Sequence, residues 1–167
     1  IRDKLVAEGH TCSIIATMRG SAVAADDAVF RPKKLLEFLR LLRSIKCDIL
    51  HLHVGGDVTS RVMALVLACT AAGNGKKILS IHSGAFPLSK AAVQAKPRSF
   101  RSHIFKRYDR IIVSNEEIES VFHRYGVAPQ NVRMIMPYVL GEPNGDVTIP
   151  VGFSRFYNDN SPVLLSV

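Results

Sequence analysis

The strongest constraint on this chain is a rhythm, in which short apolar runs stop at polar clusters and give way to helical patterns. Asp48–His53 (DILHLH) runs into Gly55 and Gly56, and Lys77–Gly84 (KILSIHSG) ends in His82, Ser83 and Gly84. Arg110–Ser114 (RIIVS) leads into Asn115 and Glu116. The stretches between them carry apolar residues at three- and four-residue spacing, the mark of helices lying on a sheet. Strand and helix alternating this often predict an α/β fold around a parallel, doubly wound sheet. Ligands of such open sheets bind in the crevice beyond the carboxyl ends of the strands, so His82 falls at the mouth of a site.

Ile1–Glu8 reads as the last turns of a helix, with Gly9 suited to a left-handed stop, and Thr11–Thr17 as a β-branched strand. Met18–Arg31 shows no sustained period and reads as a loop. Pro32 fits the first position of a helix reaching about Lys46, with Leu35, Phe38, Leu39, Leu42 and Ile45 on its buried side. Asp57 can cap a helix through Ala72, which Gly73-Asn74-Gly75 closes. Residues 85–99 read as a loop or broken helix, and Phe100–Arg107 as a short helix. Ser114 and Glu117 have capping-box spacing for a helix that buries Ile118, Val121, Phe122 and Tyr125 and stops at Gly126. Asn131–Met136 is the last strand. This predicts one domain over 1–140, a Gly-, Pro- and Asn-rich linker over 141–160, and at 161–167 the first strand of a further domain.

Composition enters where it excludes. The longest apolar run, Val62–Ala72, is shorter than the roughly 18 residues a membrane span needs, and reads as a buried helix. Cys12, Cys47 and Cys69 are odd in number and lack C-x-x-C spacing, so reduced, buried thiols in the cytoplasm are expected. The net charge is +8, and between Lys90 and Arg110 seven basic residues face Asp109 alone. That segment could be a solvated face, a contact for acidic lipid head groups, or a grip on a phosphate. A non-catalytic basic α/β module that binds nucleic acid is supported by charge only, with no stacking platform or nucleic-acid motif, and ranks low.

Three polar clusters fall at strand ends: His53–Asp57, His82–Gly84 and Ser114–Glu116. Convergence of such groups is what a small-ligand site needs. The candidate contacts are His53, Gly55, Gly56, Asp57, Ser83, Gly84, Ser114 and Glu116, with His82 as the candidate catalytic group. His82 could donate to a reacting oxygen, or equally satisfy a buried carbonyl. His51 and His53 alternate along one strand, so both rings face one side with Leu52 opposite. No third His or Cys has ligand spacing, so no metal is expected. Gly55 and Gly56 could bring amides to a phosphate, yet neither G-x-x-x-x-G-K-[ST] nor G-x-G-x-x-G is present. Ser114 reads first as a helix cap, and Glu116 as a first-turn residue favouring the dipole.

Five stretches in order resemble the N-terminal, acceptor-side domain of family-4 glycosyltransferases: EGHTCSIIAT (8–17), DILHLH (48–53), ILSIHSG (78–84), YDRIIVSNEE (108–117) and YGVAPQNVRMIMP (125–137). The resemblance spans roughly residues 1–140. It implies a Rossmann-like half of a GT-B fold and transfer of a sugar from a nucleotide-sugar donor to a glycan or lipid-linked acceptor, usually with retention and without a metal. It places His82 near the donor sugar and the acceptor along the loops at Gly55–Asp57 and Gly84–Phe86. The first hypothesis is work in cell-envelope or exopolysaccharide synthesis, in the cytoplasm or at the inner face of the membrane, and the charge of 90–110 makes that segment a candidate for peripheral contact with anionic lipid. The family's first strand and glycine-rich loop, and its donor domain with E-x7-E, have no counterpart here, so the chain reads as a piece cut at both ends and inactive alone. A GT-B nucleotide-sugar 2-epimerase would need more carboxylates and histidines in the crevice.

Overall fold

The computed structural model describes residues 2–17 and 28–136. The chain divides into a unit of Ile1–Met136 and a second of Pro137–Val167. The linker and further strand expected over 141–160 and 161–167 lie outside the described residues.

Helix α1 (Arg2–Ala7) ends at Gly9, whose φ of 88° is the left-handed stop expected of it. Strand β1 (Ile14–Ile15) pairs in parallel with β2 (Val29–Phe30). The expected strand over Thr11–Thr17 thus narrows to two residues, with Ile14 N–H donating to Ala28 O and Ala16 N–H to Phe30 O. Strand β2 falls in a stretch read as loop, because two residues are too few to show a period.

Helix α2 (Leu35–Ser44) starts three residues after Pro32, correcting the expected start. Lys34 is extended at the cap position, and the Glu37 carboxylate instead accepts from Lys33 N–H at 2.8 Å. Phe38 and Leu42 are buried as expected, whereas Leu35 in the first turn is exposed.

Strands β3 (Ile49–Val54), β4 (Lys76–Ile81), β5 (Arg110–Val113) and β6 (Val132–Met134) form one parallel sheet in that order. Register puts Leu52 beside Leu79, Leu79 beside Ile111, and Ile111 beside Val132. These residues meet one helical layer. Helix α3 (Ser60–Ala72) contributes Met63 and Val66, α5 (Phe100–Phe105) Ile104 and Phe105, and α6 (Glu116–Arg124) Ile118, Val121 and Phe122. Short α4 (Lys90–Val93) adds Ala92, and the 3-10 turn before it adds Phe86. Phe105 packs edge-on to Phe122 at 5.1 Å between centroids and Tyr125 lies 5.2 Å from Phe105, so aromatic rings fill the centre. Helix α2 packs on α3 beside Leu50 and Leu52. The fold is α/β and Rossmann-like, as expected.

Two caps differ from expectation. Thr59, not Asp57, caps α3, its hydroxyl accepting from Val62 N–H, while Asp57 O accepts from Thr59 N–H just ahead of the helix. Asn115, not Ser114, caps α6 by accepting from Ile118 N–H at 2.9 Å. Of the thiols only Cys69 is buried; Cys12 and Cys47 are half-buried, which corrects the expectation for those two. Burial pushes the Cys69 thiol up to about 11.

The turn from α3 to β4 clamps the amino ends of the sheet. Asn74 Nδ2 donates to Ile45 O at 3.2 Å and Arg43 O at 3.3 Å, closing the carboxyl end of α2. Gly75 has φ of 69°, and a Cβ there would stand 2.3 Å from Cys47 O. We expect Asn74→Ala to cost about 1–2 kcal/mol by removing those bonds. Gly75→Ala should cost more, on the order of 2–4 kcal/mol, from strain plus overlap with backbone oxygen. Urea unfolding of the two variants beside the wild type reads both, and the reverse order would contradict this account.

Candidate functional site

The covered face of the sheet takes Leu50, Leu52 and Val54 of β3, so period-two alternation sends His51 and His53 to the other face. Pairing sets His51 beside Ile78 and His53 beside Ser80. His82 continues the same alternation one residue past β4, its N–H donating to Val54 O at 3.2 Å. The backbone therefore delivers three imidazoles and one hydroxyl to one face, near the carboxyl ends of β3 and β4.

Their contacts are close. His51 Nε2 and buried Ser80 Oγ share a hydrogen bond at 2.6 Å, its donor set by the ring tautomer. His53 stacks on His82 with centroids 4.6 Å apart and planes 25° apart, and His51 meets His53 edge-on at 6.4 Å. His82 Nδ1 is buried without a hydrogen-bond partner. A buried polar atom left without a partner is costly, while the rest of the half-buried His82 ring stays open to a ligand. Among the described residues no group of three His, Cys, Asp or Glu is placed to hold a metal ion.

Glycines border this cluster. Gly55 and Gly56 follow β3, Gly84 follows His82, and a Cβ added at any of them meets nothing within 4 Å. Local packing does not demand glycine there, and the space in front of the backbone is open. Ser83 is buried, and its carbonyl accepts from Phe86 N–H at 3.1 Å to start the turn that leads away. Asp57 is exposed beyond Gly56. Ser114 is half-buried past β5, and Glu116 is exposed in the first turn of α6. Both stand at the same edge of the sheet, and neither hydrogen-bonds to the histidines. Arg101 Nη1 donates to Val58 O at 3.1 Å and ties α5 to the loop after β3.

The sequence reading missed the His51–Ser80 bond and the His53–His82 stack. The signal was present, since Ser80 and His82 alternate in KILSIHSG as His51 and His53 do in DILHLH. Only the register between the two strands makes them neighbours.

His51 and His53 are exposed on the open face of the sheet, and partial desolvation there first, with the neighbouring imidazoles second, holds both below the ordinary imidazole value. The unfolded chain then binds protons that the folded one refuses, so stability falls as pH drops through the unfolded value of about 6.5 and levels off below the folded values. Urea midpoints should therefore be lower at about pH 5.5 than at about pH 7.5, and His51→Gln with His53→Gln should flatten the dependence. An equal pH dependence in that double variant would contradict the assignment.

Comparison with known proteins bears on the whole unit. The family model described as Glycosyltransferase Family 4 matches residues 1–139. No curated protein and no solved structure matches the chain. The matched span covers all of the described sheet, its helices and the histidine cluster, so this chain belongs to glycosyltransferase family 4.

Proposed function

We propose that this unit is the acceptor-side half of a retaining, hexosyltransferase-like enzyme that moves a sugar from a nucleotide-sugar donor to a glycan or lipid-linked acceptor. The reading is supported above all by His82: a ring at the carboxyl end of β4, stacked on His53, with Nδ1 buried and unpartnered. A hydrogen bond from the accessible edge of this half-buried ring to a donor-sugar hydroxyl would fix the sugar against the acceptor. Retention requires the new bond to form on the face of the anomeric carbon from which the nucleotide departs. His53 holds the His82 plane, and Ser80 holds His51 behind it.

The open backbone at Gly55, Gly56 and Gly84 gives an acceptor a close approach, with Asp57, Ser83, Ser114 and Glu116 on its border. No metal enters this scheme. Turnover needs a donor-binding half joined to these residues, so residues 1–167 by themselves would be inactive. A cell-envelope or exopolysaccharide product fits an acceptor taken from the inner face of a membrane, with the basic residues of 90–110 against anionic lipid. No helix among the described residues is long and apolar enough to cross a membrane.

In an enzyme carrying both halves, His82→Ala should lower kcat by on the order of a hundredfold or more, with an unchanged unfolding midpoint. His53→Phe, which keeps a stacked ring, should lose much less than His53→Ala. Unchanged turnover in His82→Ala would overturn the role given to this residue.

A further inference from the structure

The segment after Gly84 is two-faced. Phe86, Ala92, Ile104 and Phe105 turn inward and are at most 2% exposed. Outward, Leu88 is 81%, Val93 66% and Phe100 71% exposed, large apolar side chains left in water. Within α5 the structure separates Phe100, in solvent, from Ile104 and Phe105, which are buried. Scattered exposed apolar residues are ordinary, but here they share a short stretch with a one-sided charge pattern. No acidic residue occurs between Asp57 and Asp109. Lys90, Lys96 and Arg98 alternate with the exposed apolar residues along the chain, and their side chains make no hydrogen bond or ion pair among the described residues.

The mounting is firm. Tyr125 Oη donates to Ala91 O at 2.7 Å, Ser102 Oγ donates to Pro97 O at 2.6 Å, and Lys106 Nζ donates to the same Pro97 O at 2.9 Å. A held segment with exposed apolar side chains interleaved in sequence with unpaired cations matches a bilayer with acidic head groups: the apolar tips enter the acyl boundary and the cations stay at the phosphates. A segment without a carboxylate from Val58 to Tyr108 suits phosphate head groups better than a protein surface of mixed charge.

We propose that residues 88–100 dock on an anionic lipid bilayer, with Leu88, Val93 and Phe100 inserted and Lys90, Lys96 and Arg98 at the head groups. This rests on the acceptor-side reading for its purpose, and it deepens that reading by moving the contact's apolar part to three named side chains. Vesicle binding needs no transfer reaction, so either idea can fail without the other.

The test uses the full 167-residue chain and vesicles of phosphatidylcholine with and without phosphatidylglycerol. The wild type should sediment with the mixed vesicles and not with phosphatidylcholine alone. Combined Leu88→Ser, Val93→Ser and Phe100→Ser should weaken partitioning by on the order of a hundredfold while the unfolding midpoint is kept. The chain has no tryptophan, so Phe100→Trp is a single-site reporter whose emission should shift to the blue on mixed vesicles. Wild-type sedimentation with neither vesicle, or equal sedimentation with both, would overturn the proposal. An indole emission that stays unshifted while the Phe100→Trp chain pellets would do the same. So would self-association that the triple serine variant abolishes while vesicle binding persists.

Discussion

Everything at the candidate site depends on the parallel register between β3 and β4. Leu52 opposite Leu79 puts the aliphatic set of both strands under α3, and the same pairing puts His53 opposite Ser80. A slip of one residue would send His51 and His53 into the helical layer and expose Leu50 and Leu52. The histidine cluster is thus specified indirectly. Burial of leucine on one face decides where imidazole appears on the other.

The helical layer holds that register in place. Leu79, Ile81, Ile111 and Val113 are fully buried beneath Val66, Phe105, Ile118 and Phe122, and each such side chain contributes about 1.5–3 kcal/mol when removed from water. Tyr108 joins the layers through a hydroxyl that donates to Val66 O at 2.9 Å. Burial pushes that phenol far above its ordinary range, so it stays a donor at any ordinary pH.

Much of this was legible in the sequence, for reasons that differ by element. β3, β4 and β5 are apolar runs with clear punctuation, and α6 shows its buried face at three- and four-residue spacing up to Gly126. The caps moved because capping residues crowd together: Asp57 and Thr59 both can cap, as can Ser114 and Asn115, and the choice falls where the chain leaves the sheet. Strand β2 has too few residues to announce itself. Phe100 belongs to the helical period of α5, yet the period places it on a helix and does not say whether a neighbour covers it. The strand ends bearing His53 and His82 could be read, while the stack between their rings depends on register and is a property of the pair.

The two ends of the sheet are treated differently, and the difference explains why polar residues gather at one of them. At the amino ends the chain is tied down. Asp109 accepts from Lys77 N–H at 2.8 Å and from Lys76 Nζ at 3.2 Å, and the Lys77 amide bond first of all holds its carboxyl below the usual range. Asn74 closes α2 beside it, and a Cβ at Gly73 would run into Leu50 and Cys69 O. At the carboxyl ends Gly55, Gly56 and Gly84 meet nothing, and the buried, open His82 Nδ1 lies among them. Close packing at one end holds the strands in place, so the other can leave open space at its glycines and one imidazole nitrogen unpaired without losing the register that positions them.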